Sequence, residues 1–188
     1  MHPLIASLKG KLIVSVQAYP GEPMRHPETM AQIARAAEIG GAAAIRCQGL
    51  SDISAIKGRV DVPVIGLWKE GHEGVYITPS LRHARACVMA DCGSFEDAQR
   101  AVDAGVDIVS TTLAGYTGDR VKTDGPDLEL LREVVAAFPD VPVICEGRVH
   151  TPEQAAAAIE AGAFAVIVGT AITHPTSITT WFKAAVEG

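Results

Sequence analysis

This 188-residue chain contains no apolar run approaching the roughly 18–20 residues of a membrane-spanning helix. A bilayer partner is therefore not expected. Residues Met1 to Gly10 lack the basic n-region and apolar h-region of a secretory signal, so a cytoplasmic address is expected. Positive charge is in deficit: 16 Lys and Arg stand against 22 Asp and Glu, a net charge of −6. That balance argues against a nucleic-acid surface. Aromatic residues are scarce at 5%. The four cysteines, Cys47, Cys87, Cys92 and Cys145, show no C-x-x-C spacing. Cys47 and Cys145 fall inside strand-like runs and Cys92 at the end of another. Buried thiols are expected, with neither disulfides nor a zinc site. No G-x-G-x-x-G follows the first strand-like run, which counts against a dinucleotide-binding sheet. No metal-ligand spacing stands out.

What the chain has instead is Ala, Val, Ile and Gly, which suit close helix-on-strand packing. At 48% hydrophobic it can build one compact domain with a large core. Short apolar runs rich in β-branched residues begin near residues 12, 42, 62, 88, 106, 141 and 165, seven expected strands in all. Amphipathic segments separate them: 28–39, 51–59 (capped by Ser51), 95–104 (capped by Ser94, with Asp97 as a near capping box), 127–138 (opened by Pro126), 151–160 and 178–186. A small β excursion is expected at 75–77. Three segments repeat one pattern of helix end, glycine and strand: ARAAEIGGAAAIR, QRAVDAGVDIVST and AAAIEAGAFAVIVG. Recycled in this way, the pattern predicts right-handed βαβ units and a parallel sheet. A (β/α) barrel is expected, although eight strands and about 250 residues are usual for it. A doubly wound open sheet is the structural alternative.

One strand organises the reading. Val141–Arg148 (VPVICEGR) is a buried-strand pattern ending in Glu146 and Gly147. It echoes Val60–Lys69 (VDVPVIGLWK), which ends in Lys69. In barrels of parallel strands the active site lies at the C-terminal strand ends. The two related strands thus present one potential base and one potential acid there. The plain alternative is a Lys–Glu ion pair closing the mouth.

The chain resembles the N-acylglucosamine-6-phosphate 2-epimerases, also called N-acetylmannosamine-6-phosphate 2-epimerases. The segments that carry the resemblance are LIVSVQ (12–17), AAAIRCQG (42–49), VPVIGLWK (62–69), VYITPS (75–80), VMADCGS (88–94), STTLAGYT (110–117), VICEGRVHTPEQA (143–155) and VGTAITHPTSITTWF (168–182). The resemblance implies a phosphate-binding barrel over 1–188. It departs from the family pattern between about 80 and 88. There a helix, a strand with an acidic end and most of another helix are missing, leaving seven βα units. Only 18 residues separate Lys69 from Val88, enough for one minimal crossover. Lys69 and Asp91 are then expected to end neighbouring strands or to flank an opening in the wall. Closure to seven strands, or a homodimer covering the strand edges, would spare their unpaired backbone groups.

The implied reaction inverts C2 of a 6-phosphorylated N-acetylhexosamine. C2 is α to the C1 carbonyl of the open-chain sugar, so its proton can leave and return on the other face. The resemblance assigns acid–base roles to Lys69 and Glu146, which suits groups whose pKa is brought toward neutrality. Gln17, Arg46 and Asp91 match positions facing the sugar; an Arg46 salt bridge to Asp91 or Glu146 is compatible with that. Gly147, Arg148, Gly169 and Thr170 follow the last two strands, where such barrels bind phosphate. His174 stands where relatives commonly carry a stronger base. His72, His83 and His150 read as isolated surface residues. No cofactor is needed. A sugar-phosphate-binding remnant without turnover, and another isomerase or lyase on the same barrel, are the alternatives.

Overall fold

Most of the helices begin on a side-chain cap, and several are followed by a glycine with positive φ. The computed structural model describes residues 1–67, 88–118 and 120–187. Their order is α1 (Pro3–Ala6), β1 (Leu12–Val16), α2 (Pro27–Ile39), β2 (Ala44–Gln48), α3 (Leu50–Lys57), β3 (Val64–Leu67), β4 (Met89–Asp91), α4 (Phe95–Asp103), β5 (Ile108–Ser110), α5 (Leu128–Ala137), β6 (Val143–Glu146), α6 (Pro152–Glu160), β7 (Ala165–Val168), α7 (Thr170–Thr173) and α8 (Pro175–Glu187). The repeated glycines do what the pattern implied: Gly41, Gly105 and Gly162 sit at φ +98°, +83° and +100° just past α2, α4 and α6. Only glycine adopts that conformation without strain.

Three helices share a start that sequence reading missed. His2, His26 and His174 each precede a proline at the first helical position. In each, the imidazole Nδ1 accepts a backbone N–H of the first turn, from Leu4 at 3.2 Å, Glu28 at 3.3 Å and Ser177 at 3.3 Å. The proline pre-sets φ and lacks the N–H that would go unpaired, and the histidine satisfies another. Ser94 caps α4 as expected, and Asp97 accepts the N–H of Gly93, one residue before the cap, at 3.0 Å; Thr151, expected as the first residue of α6, is its N-cap. Two expected caps differ. The N-cap of α3 is Gly49, one residue before Leu50, so Ser51 lies inside the helix. The N-cap of α5 is Asp127, which accepts the Leu130 N–H at 2.9 Å, so Pro126 lies one residue outside.

The seven strands form one parallel sheet in the order β3-β2-β1-β7-β6-β5-β4. It cannot be flat. β2 and β4 lie five places apart, about 24 Å at the usual strand spacing, yet Arg46 of β2 touches Asp91 of β4 at 2.6 Å. The sheet therefore curls around an interior. Among the described residues β3 and β4 are its two edges. Among the described residues β3 and β4 do not pair with each other, so direct closure between these two strands is not the arrangement present. Lys69, the 75–77 excursion, His72, His83 and Cys87 lie outside the described residues.

The interior is layered because strand side chains alternate. At its base Ile13, Ala44, Ile108, Ile144, Ala165 and Ile167 form an apolar cluster. One pleat along, toward the strands' C-terminal ends, come Ser15, Arg46, Asp91, Ser110 and Glu146. Outside, the helices bury the other strand faces in two larger clusters, one around Leu130, Leu131, Val134 and Cys145 and one around Met30, Ile45 and Ile56. Cys47, Cys92 and Cys145 are buried free thiols. Burial pushes Cys47 and Cys92 up to about 12 and Cys145 up to about 11, so none is reactive. Among the described residues no helix is long and apolar enough to cross a membrane.

The histidine caps can be tested on α2. His26→Ala removes the acceptor from an exposed turn and should cost about 1 kcal/mol in urea unfolding, the usual scale of a lost N-cap. His26→Asn should recover most of it. Equal midpoints for all three proteins would show that the cap contributes nothing.

Candidate active site

A cavity of about 330 Å³ opens at the C-terminal ends of β1, β2, β6 and β7. Gln17, Arg46, Glu146, Gly147, Arg148, Gly169, Thr170 and His174 all line it. Eight residues singled out on separate segments of the sequence thus meet in one place. Asp91 is held beside it through Arg46. Lys69, the other expected acid–base group, is outside the described residues.

At the cavity floor Arg46 grips two carboxylates. Its Nη1 donates to Glu146 Oε1 and its Nη2 to Asp91 Oδ2, both at 2.6 Å. The three side chains are 3%, 11% and 6% exposed. Arg46 satisfies the sequence expectation in both directions at once, an ion-pair hub that also faces the cavity. Thr112 Oγ1 lies 2.8 Å from Glu146 Oε2 and 2.9 Å from Asp91 Oδ1. Its single hydroxyl proton can serve one of them at a time. Ser110 Oγ adds a bond to Glu146 Oε2 at 3.3 Å. The Glu146 backbone is pinned as well, since Thr111 Oγ1 donates to its C=O at 2.9 Å and accepts its N–H at 3.1 Å.

These surroundings set the electrostatics. Burial drives the Glu146 carboxyl above its ordinary value, and Arg46 pulls against it. The nearby Asp91 charge pushes it up further, and the two hydroxyls pull back. Burial also works to lower Arg46, but its two carboxylates outweigh that and raise it. The result is a permanently charged guanidinium beside a carboxyl displaced toward neutrality. Two polar atoms of the floor, Gln17 Oε1 and Arg46 Nε, are buried without a hydrogen-bond partner among the described residues. Gln17 is held by its other end, Nε2 donating to Ser15 Oγ at 2.7 Å.

The far wall follows β6. Gly147 turns at φ +102°, and a Cβ there would meet the Thr112 carbonyl at 3.3 Å. Arg148 follows at φ +56°, the one non-glycine with positive φ among the described residues. Its side chain shows what holds that conformation. The guanidinium donates to Ala114 O at 2.6 Å, Gly125 O at 3.0 Å and Thr123 Oγ1 at 3.0 Å, and lies 5.1 Å from the Tyr116 ring centre. Sequence reading placed Arg148 at the phosphate. Its guanidinium anchors the β5–α5 loop, and its backbone follows Gly147 along the cavity wall.

Two histidines also differ from the sequence expectation. His174 caps α8 through Nδ1, which also contacts Ser177 Oγ at 2.6 Å, while Nε2 contacts Glu22. Both ring nitrogens are in contact with protein groups, and neither is left for a phosphate. His150 is no isolated surface residue. It is half-buried, lines the cavity and packs against Trp181 of α8, ring centres 4.6 Å apart. Ser15, Tyr19, Thr112, Tyr116 and Ser177 also line the cavity and were missed. Strand alternation from Gln17 and Arg46 could have found Ser15, since it pairs with Arg46 in register. Nothing local marks the loop tyrosines.

Comparison with known proteins converges on one family. The family described as "Putative N-acetylmannosamine-6-phosphate epimerase" (NanE) matches residues 30–85 and, separately, 76–188. A protein of Cutibacterium acnes named "Putative N-acetylmannosamine-6-phosphate 2-epimerase" is 54% identical, with 98% of this chain and 97% of that protein covered. A Caldanaerobacter subterraneus protein of the same name is 42% identical, covering 95% and 92%. The first alignment runs over 222 positions against 188 residues, so at least 34 positions have no counterpart here. The structure of the N-acetylmannosamine-6-phosphate 2-epimerase from Clostridium perfringens superposes with a TM-score of 0.92 at 35% identity, covering 98% and 96%. A (S)-3-O-geranylgeranylglyceryl phosphate synthase from Thermoplasma acidophilum shares the fold, with a TM-score of 0.61 at 20% identity over 92% of each chain.

The charge balance at the floor makes a pH prediction. Glu146 has a higher pKa folded than unfolded. Its carboxyl therefore supports folding while protonated, and that support is lost as pH rises through the folded-state value. Glu146→Gln, a mimic of the protonated form, should gain stability relative to wild type at about pH 7.5 and lose that advantage near pH 4. Urea midpoints at the two pH values measure it. A variant less stable than wild type at the higher pH would show that pairing with Arg46 outweighs desolvation.

Proposed function

The chain belongs to the NanE family of N-acetylmannosamine-6-phosphate epimerases, and we propose that it interconverts N-acetylmannosamine 6-phosphate and N-acetylglucosamine 6-phosphate. It does so without a cofactor, by moving a proton at C2. The observation that carries this reading is the Glu146 carboxyl, buried at a cavity floor, raised in pKa and locked in place by Arg46, Ser110 and Thr112. A carboxyl brought toward neutrality can both give and take a proton near pH 7.

In the open-chain sugar the C1 carbonyl makes the C2 proton acidic. Removing it builds negative charge on the C1 oxygen, and returning it to the other face inverts the centre. Lys69 and Glu146 carry out the transfers from opposite sides. Arg46 lines the cavity beside Glu146, and a fixed cation there stabilises the developing oxyanion. Gln17, which also lines the cavity, hydrogen-bonds a sugar hydroxyl. Asp91 keeps Arg46 oriented and charged. The phosphate lies at the other end of the cavity, against Gly147, the Arg148 N–H, Gly169 and Thr170 at the start of α7. Fixing the phosphate fixes the distance from C6 to the reacting carbon. The protein so read is one cytoplasmic barrel domain over 1–188. It has no nucleic-acid partner, and a homodimer contact covers the β3 and β4 edges.

The absent positions favour a second reading, a barrel that binds the sugar phosphate without turning it over. Proton NMR of N-acetylmannosamine 6-phosphate with the protein in deuterated water separates the two. The C2 epimer should appear carrying deuterium at C2; binding with neither exchange nor epimer would establish the second reading. Lys69→Ala and Glu146→Gln should each lower kcat by about 100-fold or more with smaller changes in KM. Near-full turnover in both would remove them from the chemistry. Unphosphorylated N-acetylmannosamine should show a strongly raised KM, and equal use of both sugars would contradict the phosphate site.

A further inference from the structure

The C2 chemistry has a prerequisite. In water a hexosamine phosphate is overwhelmingly a cyclic hemiacetal. In that form C1 is not a carbonyl and the C2 proton is not acidic. The pyranose ring must open before Lys69 or Glu146 has anything to act on. Opening takes the proton from the C1 hydroxyl, forms C1=O as C1–O5 breaks, and puts a proton on O5. One group that accepts and then returns a proton balances the step.

We propose that His150 is that group, a catalytic residue that opens the sugar ring within the cavity. The proposal rests on the epimerase reading above and extends it by a step. The O1 proton passes to the imidazole, C1–O5 cleaves, and the imidazolium hands the proton to O5. Nothing is oxidised or reduced, and the imidazole is restored.

The position fits. From Glu146 the chain runs through Gly147, Arg148 and Val149, all lining the cavity, to His150. With C2 at Glu146 and the phosphate at Gly169 and Thr170, C1–O5 and C5 lie between the two, against the wall that His150 helps form. The ring is held from behind by Trp181, its plane tilted 47° to the indole. Its backbone is fixed by Gln154, whose Oε1 accepts the His150 N–H at 2.7 Å.

The ring is also available. Among the described residues neither imidazole nitrogen of His150 has a hydrogen-bond partner. Three other ionisable side chains of the wall are engaged. His174 has both nitrogens in use. The Glu146 oxygens are met by Arg46, Ser110 and Thr112, and the Arg148 donors are on the loop. Burial, and then the positive charge of Arg148, hold His150 below its ordinary value. That favours the uncharged imidazole, with one donor and one acceptor, as a proton relay requires.

The test reads ring opening directly. Exchange between the α and β anomers of N-acetylglucosamine 6-phosphate passes through the open chain and is measurable by proton exchange NMR. Wild-type protein should accelerate that exchange over buffer. His150→Phe should return it to the buffer rate and lower epimerisation at least tenfold. His150→Ala should regain both on addition of imidazole, beyond the effect of imidazole alone, which a purely structural role of the side chain would not produce. Anomer exchange in His150→Phe as fast as in wild type would overturn the proposal. So would a wild-type protein that epimerises without accelerating anomer exchange, since it would take the open chain from solution. Wild-type protein that accelerates anomer exchange through His150 yet forms no epimer would instead sink the epimerase reading alone.

Discussion

The ion triad of Arg46 with Asp91 and Glu146 is the constraint on which the rest of the molecule depends. Three charged side chains, none more than 11% exposed, sit above an apolar floor. Removing charges from water costs several kcal/mol each unless they are paired and hydrogen-bonded. Arginine suits the position because its planar fork presents separate nitrogens to two acceptors and stays charged at any accessible pH. A lysine would offer one point charge to two carboxylates. The stoichiometry is uneven, one cation against two anions, and that imbalance lets burial win at Glu146 while the guanidinium stays fixed. Stability and reactivity are opposed at this point. Burial that raises the Glu146 carboxyl makes its charged form costly to the fold, and the same displacement is what proton transfer asks of a carboxyl.

The wall around the triad is built by groups that already have structural work, and this narrows what each can do for a substrate. Arg148 bends the chain into the cavity and ties down the 114–125 loop, so the loop and the end of β6 hold one another in place. A non-glycine at φ +56° is tolerated where surrounding contacts over-determine it, and three hydrogen bonds from one side chain provide that here. His174 connects α7, α8 and the β1–α2 loop through Ser177 and Glu22. The carboxylate of Glu22 also accepts the Tyr19 N–H at 2.7 Å. Burial opposes this arrangement, but the Tyr19 bond and His174 hold Glu22 below its ordinary value. The loop after β1 is thereby fastened to the start of α8, and the cavity mouth is set by these fastenings.

What could be read from the sequence was what repeats or alternates. Buried strands announce themselves by β-branched runs, and Ala165–Val168 falls where it was expected. Elsewhere the strands are shorter than the runs: the segment beginning at Val106 yields only Ile108–Ser110. Ladder pairing stops where the chain must turn, while hydrophobicity continues into the loop. Strand-end residues were legible for the same reason, since Gln17, Arg46 and Glu146 each close such a run. Side-chain partners were not. Nothing in EGRVH says that the arginine turns back to carbonyls 23 and 34 residues away while the histidine faces the cavity. The histidine caps were missed because imidazole is a rare N-cap, and only the recurrence of His-Pro would have revealed them.

The triad also bears on how a chain lacking at least 34 aligned positions of a relative keeps its site. Among the described residues β3 and β4 are the sheet's two edges, and the family match itself divides into two segments. Backbone pairing runs the long way round, from β3 through β1 and β7 to β4. It fixes neighbours well but leaves the separation of distant strands to accumulated twist. Arg46 crosses the interior instead, joining β2 directly to β4 and to β6 at 2.6 Å each. It sets the curvature of the sheet at the level of the site. Thr112 and Ser110 extend that crossbar through β5. Loss of wall elements outside this network removes packing and hydrogen-bond partners for the edge strands. It leaves untouched the distances among Arg46, Asp91 and Glu146, because those distances are set by contact across the interior and not by the completeness of the ring.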